Sequence, residues 1–115
     1  MYNVYVISTH RAEQLARALL DAVEANKVSE VVRLLGEGAD PNHQWYWDDK
    51  DRRPPLHEAC VNGNLTIIQL LVNAGADPNR SGGKFNMTPL HYACWSGHNA
   101  IVQYLIKDLK CKPGE

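Results

Sequence analysis

Two histidine–cysteine pairs supply the residue types in this chain that could bind a metal ion. His57 precedes Cys60 by three positions, and His91 precedes Cys94 by the same spacing. On two neighbouring helices these side chains would offer the nitrogen and sulfur donors that zinc prefers. Both pairs, however, lie within a longer segment that recurs in the chain, so the repeat explains their spacing without a metal. We therefore predict no metal site and no cofactor.

Patterns that could support catalysis are weak. The run Gly82-Gly83-Lys84 is similar to part of a phosphate-binding loop, but Phe85 follows the lysine where serine or threonine is needed. The acidic residues within 48–51 are interrupted by a lysine, and a solvated charged loop lacks the rigidity that catalytic groups require. The sequence predicts no catalytic residue and no enzyme activity.

The strongest pattern is an internal repeat. Residues 54–63 recur at 88–97 with six of ten positions identical, and an apolar run follows each copy. A weaker first copy is indicated by Gly-Ala-Asp-Pro-Asn at 38–42, which recurs at 75–79. The offset of 34 residues between the two copies is typical of stacked repeats. Such repeats bury their apolar faces against one another and leave a long surface free for binding.

These segments resemble the ankyrin repeat family. The resemblance depends on Thr-Pro-Leu-His-Tyr-Ala at 88–93 and on Gly-Ala-Asp-Pro-Asn at 75–79, and it covers roughly residues 15–110. It implies an all-α solenoid of about three helix-turn-helix repeats with β-turn fingers between them. The expected division is an N-terminal extension (1–10), an atypical capping repeat (11–42), a repeat with a long finger (43–79) and a third repeat with an irregular end (80–115).

Local signals agree with that architecture. Thr88 is suited to cap a helix that begins at Pro89, and Gly97 is suited to end it. Pro54 stands where Thr88 stands in the next copy, so the second repeat lacks a side-chain acceptor at its helix start. In the first repeat the helical pattern begins near Arg11 and runs to about residue 26. The apolar spacing places both cysteines of the repeated segment in the core.

Composition limits the kinds of partner. The formal net charge is −1, which gives no general attraction to nucleic acid or to anionic lipid. No apolar run is long enough to span a bilayer, and the first residues do not resemble a signal peptide. Three cysteines are an odd number, which favours free thiols in a reducing compartment. We expect a cytoplasmic or nuclear protein that binds neither nucleic acid nor membrane.

The residues that we expect to contact a partner lie in the fingers and on the first helix of each repeat. The family resemblance implies a concave face built from these elements, and the finger at 43–53 carries two of the three tryptophans. Aromatic residues and arginine are the types enriched in binding hot spots. The candidates are Trp45, Tyr46, Trp47, Arg52, Glu58, Val61, Lys84, Phe85, Tyr92 and Trp95. An alternative is that the aromatic finger packs on its own domain.

Two functions remain open at this point. One is a non-catalytic module that binds a protein or peptide on the concave face. The other is a structural spacer within a larger repeat protein, because the third repeat ends at 108–113 without the Gly-Ala-Asp motif and without an evident polar cap. Under the second hypothesis, further repeats or domains of a longer parent protein would cover that end.

Overall fold

A computed structural model describes residues 4–43 and 52–110 of the chain, with side chains from residue 10 onward. Within these ranges the backbone forms six α-helices and no strand, apart from one antiparallel bridge between Gly82 and Met87. The helices are α1 (Val4–Glu24), α2 (Val28–Gly36), α3 (Pro55–Asn62), α4 (Leu65–Asn73), α5 (Pro89–Trp95) and α6 (Asn99–Lys107). The all-α class predicted from the sequence is confirmed.

The six helices form three pairs that stack in one row. Within the pairs α1 packs against α2, α3 against α4, and α5 against α6. Between the pairs α3 lies in the middle and contacts both α1 and α5, while α2 packs against α4. First helices therefore stack on first helices, which is the translational arrangement that the repeated sequence predicts.

One continuous apolar core runs through the three pairs. Each pair contributes fully or almost fully buried aliphatic side chains, and those at the pair boundaries touch residues of the neighbouring pair. The most deeply buried aliphatic residues are Leu19, Leu20, Val23, Val31, Ile67, Ile68, Leu71 and Leu105. A solenoid of this kind is stable only when its repeats share such a core, because one helix pair cannot cover its own apolar faces.

Helix α5 begins and ends at the residues that the sequence indicates. The Thr88 hydroxyl accepts a hydrogen bond from the His91 backbone N–H at 3.3 Å, and Pro89 is the first helical residue. Gly97 follows the helix with a φ of 77°. Gly63 plays the same part after α3, with a φ of 75°. A Cβ on Gly63 would lie 2.7 Å from the His98 ring, so this turn needs glycine both for its backbone and for its close approach to the third repeat.

Helix α1 is longer than the sequence predicts. It begins at Val4, whereas the sequence pattern places its start near Arg11. Neither proline nor glycine interrupts residues 4–24. Each further residue at the end of a formed helix gains one backbone hydrogen bond without a new nucleation step, which is why the helix continues toward the N-terminus. The division of the chain into an extension and three repeats stays a prediction.

Hydrogen bonds connect successive repeats along the row. The side chain of Asn42 donates to the Gly75 carbonyl at 2.8 Å and accepts from the Asp77 backbone N–H at 3.0 Å. Asn62 donates to the Val23 carbonyl at 3.2 Å. These bonds use polar side chains of one repeat to satisfy backbone groups of another, so they fix the register of the stack as well as its stability.

The two cysteines of the repeated segment have different environments. Cys60 is fully buried, but Cys94 is exposed. The prediction that both belong to the core is therefore wrong for Cys94. The physical reason is stacking, because α5 covers the face of α3 that carries Cys60, whereas no described helix covers the corresponding face of α5.

Candidate partner-binding surface

First helices and fingers together form a shallow pocket on one side of the row. Its volume is about 240 Å³. It is lined by Glu24, Arg52, Arg53, Glu58, Lys84, Phe85 and Tyr92. This set draws on all three repeats, and five of its seven members carry a formal charge. Because it joins the fingers to the first helices, we call it the concave pocket.

Two arginines of the concave pocket are held by carboxylates. One Arg52 guanidinium nitrogen lies 3.0 Å from Asp21 and 2.8 Å from Glu24, both on α1. Arg53 lies 2.8 Å from Glu58 on α3, and its guanidinium carbon is 5.5 Å from the centre of the Tyr92 ring. These contacts tie the end of the first finger to the two helices beneath it, and they neutralise most of the charge in the pocket.

Lys84 is the exception among the cations of the pocket. Its ammonium nitrogen lies 6.0 Å from the centre of the Phe85 ring, and no ion pair joins it to a carboxylate of the described residues. Its side chain is exposed. A charge without an internal counter-ion at the rim of a pocket is available to a ligand at a smaller desolvation penalty than a charge already in a salt bridge.

Tyr92, which the sequence analysis names as a contact residue, is not exposed. Its side chain is fully buried, and its hydroxyl donates to the Gly82 carbonyl at 3.0 Å. Gly83, with a φ of 79°, leaves room for the hydroxyl because a Cβ there would collide with it. His57 packs edge-on against the ring, with 5.7 Å between ring centres. Tyr92 thus forms the floor under the charged residues and holds the second finger in place.

Phe85 and Trp95 are exposed, as the sequence leads one to expect of contact residues. Their side chains are 60% and 63% exposed, and their rings meet edge to face with 6.2 Å between centres. Together with Met87 and His91 they line a second groove of about 480 Å³. We call this the end groove. Sequence reasoning did not include Met87 and His91, although the spacing of four residues from His91 to Trp95 on one helix signals that they share a face.

The remaining candidates are the aromatic residues at 45–47 and Val61. Trp45, Tyr46 and Trp47 lie outside the described residues, so their contribution stays a prediction. Val61 is partly buried and packs against the core. Its carbonyl accepts a hydrogen bond from His98 Nε2 at 2.8 Å, which makes Val61 part of the junction between the second and third repeats.

His57 acts as a clamp between two backbone segments. His57 Nε2 donates to the Arg80 carbonyl at 2.6 Å, and so bridges the second repeat to the next finger. Its Nδ1 is buried and has no hydrogen-bond partner among the described residues. Burial lowers the pKa of His57 to about 4, which keeps the ring neutral at physiological pH. Within the described ranges no group of three or more His, Cys, Asp or Glu is arranged to hold a metal ion.

A row of helix pairs that share one core and present fingers along one side defines an α-helical repeat solenoid. Comparison with protein families gives the particular kind. The family described as ankyrin repeats (3 copies) matches residues 14–114. The chain belongs to the ankyrin repeat family.

Curated relatives are similar to parts of this chain. Human mitochondrial disaggregase is 47% identical over 64 residues, which are 54% of this chain and 8% of the relative. Human ankyrin repeat domain-containing protein 49 is 42% identical over 62 residues, which are 54% of the chain and 25% of the relative. The 2-5A-dependent ribonuclease of Mus musculus is 39% identical over 66 residues, or 55% of the chain and 8% of the relative. The chain thus matches a small part of larger proteins.

A separate finding concerns membranes. Among the helices within residues 4–43 and 52–110, none combines the length and the hydrophobicity that crossing a bilayer requires.

Proposed function

We propose that this chain is a non-catalytic protein–protein interaction module that binds a protein or peptide on its concave face. Ankyrin repeats are generally protein–protein interaction modules, and they are typically non-catalytic. The observation that carries the proposal for this chain is the concave pocket, which brings side chains of all three repeats to one site.

The charges of the concave pocket indicate the kind of segment that it would accept. Arg52 and Arg53 are neutralised by carboxylates of α1 and α3, whereas Lys84 is exposed and has no counter-ion among the described residues. The nearby Phe85 ring offers apolar area beside that charge. A partner segment with a carboxylate placed to meet Lys84 would gain a charge-assisted hydrogen bond without first breaking an internal pair. We therefore expect the ligand of the concave pocket to be acidic.

A charge-reversal pair tests this proposal. Peptides would be selected from a displayed library of linear segments on the wild-type chain, and their affinities measured by calorimetry. Lys84→Glu should weaken the acidic ligands about tenfold or more, since a like-charge contact replaces an attractive one. Lys107→Glu makes the same charge change on exposed α6, outside the pocket, and should have little effect. Equal affinities for the two variants would contradict binding at this pocket.

The alternative function is a structural spacer within a larger repeat protein. Two observations favour it. The relatives contain the matching segment as a small fraction of their length, and Cys94 and Trp95 leave the last described face open. A spacer would be stabilised by additional repeats on that face. If the free energy of unfolding stays the same after downstream sequence is added, and the chain sediments as a monomer, the spacer hypothesis loses its support.

The location of the protein is also a proposal. We infer a cytoplasmic or nuclear protein, without nucleic-acid or membrane partners, from the near-neutral charge and the odd number of cysteines. No disulfide joins Cys60 to Cys94, which is consistent with a reducing compartment. Fluorescent tagging of the full-length parent protein in cells would test the location, and retention in the secretory pathway would contradict it.

A further inference from the structure

The end groove lies at the third repeat, at the edge of the concave pocket. One wall is the second finger, with Phe85 and Met87, and the other is one face of α5, with His91 and Trp95. Two large aromatic side chains stand more than half exposed in it. Exposed patches of large apolar side chains are uncommon in soluble proteins and usually mark binding sites. We therefore expect the groove to bind a ligand.

The repeat itself shows what lies on this face elsewhere in the molecule. A shift of 34 positions superimposes the second repeat on the third. Three of the four groove residues then have a described counterpart in the second repeat: Arg53 for Met87, His57 for His91, and Val61 for Trp95.

All three counterparts contact the repeat that follows them. The Arg53 guanidinium lies 5.5 Å from the Tyr92 ring, His57 Nε2 donates to the Arg80 carbonyl at 2.6 Å, and the Val61 carbonyl accepts from His98 at 2.8 Å. The groove of the third repeat therefore corresponds to a surface of the second repeat that the following repeat contacts at all three residues and buries at His57. The chain segment that contacts this surface in the second repeat therefore indicates what would bind to the groove in the third.

The covering chain at His57 is not helical. It is the finger segment at 80–83, which reaches His57 through the Arg80 carbonyl and crosses Pro54 so closely that a Cβ on Gly82 would lie 2.7 Å from the proline ring. The helix α5 begins only at Pro89. A histidine at this position is thus suited to receive an irregular or extended backbone that offers it a carbonyl oxygen.

His91 is positioned to donate the same kind of hydrogen bond to a main-chain carbonyl. Its Nδ1 lies 2.6 Å from the Thr88 hydroxyl, and that hydroxyl already accepts from the His91 backbone N–H. The hydroxyl can therefore donate its own proton to Nδ1, which leaves the neutral ring with its proton on Nε2. The Nε2–H group is the one with which His57 binds the covering chain.

The two repeats differ in the character of this face. Methionine replaces Arg53, and tryptophan replaces Val61. Phe85 adds a second exposed ring at the edge. These exchanges remove a charge and add aromatic area, so an occupant of the third repeat has to present apolar surface where the second repeat receives a polar finger.

We propose that the end groove binds a non-helical polypeptide segment of a protein partner, which offers a main-chain carbonyl to His91 and a bulky apolar side chain to Phe85 and Trp95. This adds a second surface to the proposed function, and the two surfaces have Phe85 in common. The chemistry differs, because the concave pocket favours an acidic ligand and the end groove an apolar one.

The test uses linear peptides selected from a displayed library on the wild-type chain. Those that bind the groove should share one aromatic or large aliphatic residue. Trp95→Ala should weaken them about tenfold or more, as expected for an anchor tryptophan, and Phe85→Ala should weaken them in the same direction. Val32→Ala is the matched control, since Val32 is an exposed apolar residue on α2, and it should leave the affinity unchanged. Circular dichroism checks that all variants are folded.

A methyl label makes the location of binding visible. The chain contains two methionines, so ¹³C-methyl methionine gives one signal from Met87 and one from Met1. Apolar peptides should shift the Met87 signal and leave the Met1 signal in place. Acidic peptides that bind the concave pocket should instead lose affinity on Lys84→Glu and leave the Met87 signal in place, since Met87 does not line that pocket. This difference separates a failure of the end groove from a failure of the concave pocket.

Four results would overturn the proposal. No peptide with an apolar anchor is selected, or the selected peptides bind Trp95→Ala as tightly as wild type. The bound peptides are helical by circular dichroism, which would assign the face to a helix. The chain self-associates in sedimentation and Trp95→Ala abolishes this, which would make a second copy the occupant.

Discussion

The second and third repeats share a sequence motif but lie in different environments. Leu56 and Leu90 occupy equivalent positions and are both buried. Cys60 and Cys94 are also equivalent, yet Cys60 is buried and Cys94 is exposed. Helix α3 lies between α1 and α5, whereas α5 packs against one first helix only among the described residues, and we attribute the difference between the cysteines to this neighbour. The burial of the leucines depends on their position within the repeat. The burial of the cysteines depends on whether another repeat packs against them.

The same comparison separates the two histidines. His91 has the Thr88 hydroxyl at 2.6 Å from its Nδ1. His57 has Pro54 in place of that threonine, and its buried Nδ1 is left without a hydrogen-bond partner among the described residues. The histidine of the second repeat is thus more deeply buried, but one of its ring nitrogens lacks a hydrogen bond. Its stacking supplies burial, and its missing threonine leaves a polar atom uncompensated.

The largest effects are expected where the two repeats agree. Leu56→Ala and Leu90→Ala should each lower the free energy of unfolding by about 2–5 kcal/mol, because both remove a buried side chain and leave a cavity. Urea denaturation monitored by circular dichroism measures this. Trp95→Ala, at an exposed site, should cost less than about 1 kcal/mol. A loss from Trp95→Ala as large as that from Leu90→Ala would place Trp95 in the core.

A pH effect of about 3 kcal/mol is expected from His57 alone, because its pKa falls from 6.5 in the unfolded chain to about 4 on folding. As the pH decreases, the unfolded chain takes up the proton first. The contribution of neutral His57 is therefore complete above pH 6.5 and is lost between pH 6.5 and pH 4. Urea denaturation across this range measures the loss.

His57→Gln is the control for that prediction. The glutamine amide can keep the donor to the Arg80 carbonyl without titrating, so its difference from wild type isolates the histidine from the carboxylates. A pH dependence that is the same in wild type and in His57→Gln would show that His57 is not buried as a neutral ring.

A smaller effect is expected from restoring the missing threonine. Pro54→Thr should raise the free energy of unfolding by about 1 kcal/mol. A hydroxyl there would cap α3 and donate to His57 Nδ1, which together are worth more than the roughly 0.4–1 kcal/mol of chain stiffness that the proline supplies. Chemical denaturation measures the change.

The matched control removes the threonine that the third repeat has. Thr88→Ala should lower the free energy of unfolding by about 0.5–2 kcal/mol. If Pro54→Thr were destabilising while Thr88→Ala behaved as expected, the contact between Pro54 and the backbone at Gly82 would matter more than the unsatisfied nitrogen.

Local signals predicted the repeat well because each depends on a few neighbouring residues. Thr88 caps α5, Pro89 begins it, and Gly63 and Gly97 follow their helices with positive φ. Such residues act through their own backbone and their nearest turn, so sequence alone identifies them.

The environments of Cys94 and Tyr92 could not be predicted because they depend on more distant parts of the chain. The spacing of apolar residues within the repeat predicts that Cys94 lies in the core. That spacing carries no information on whether a further repeat packs against the face of α5 that bears Cys94. Tyr92 occupies the position of Glu58, which is only partly buried. Its burial results from the finger, where Gly83 leaves space for the ring hydroxyl and the Gly82 carbonyl accepts its proton. The aromatic residues at 45–47 remain candidates outside the described residues.

The most direct test of the stacking account compares the two cysteines by their reactivity. A short pulse of iodoacetamide on the native chain, followed by peptide mapping in a mass spectrometer, reports each thiol separately and keeps Cys111 apart from both. The account predicts rapid labelling of Cys94, and labelling of Cys60 only at the rate at which the stack opens, so that mild urea accelerates Cys60 far more than Cys94. Labelling of Cys60 as fast as Cys94 under native conditions would contradict the claim that the third repeat is packed on the second.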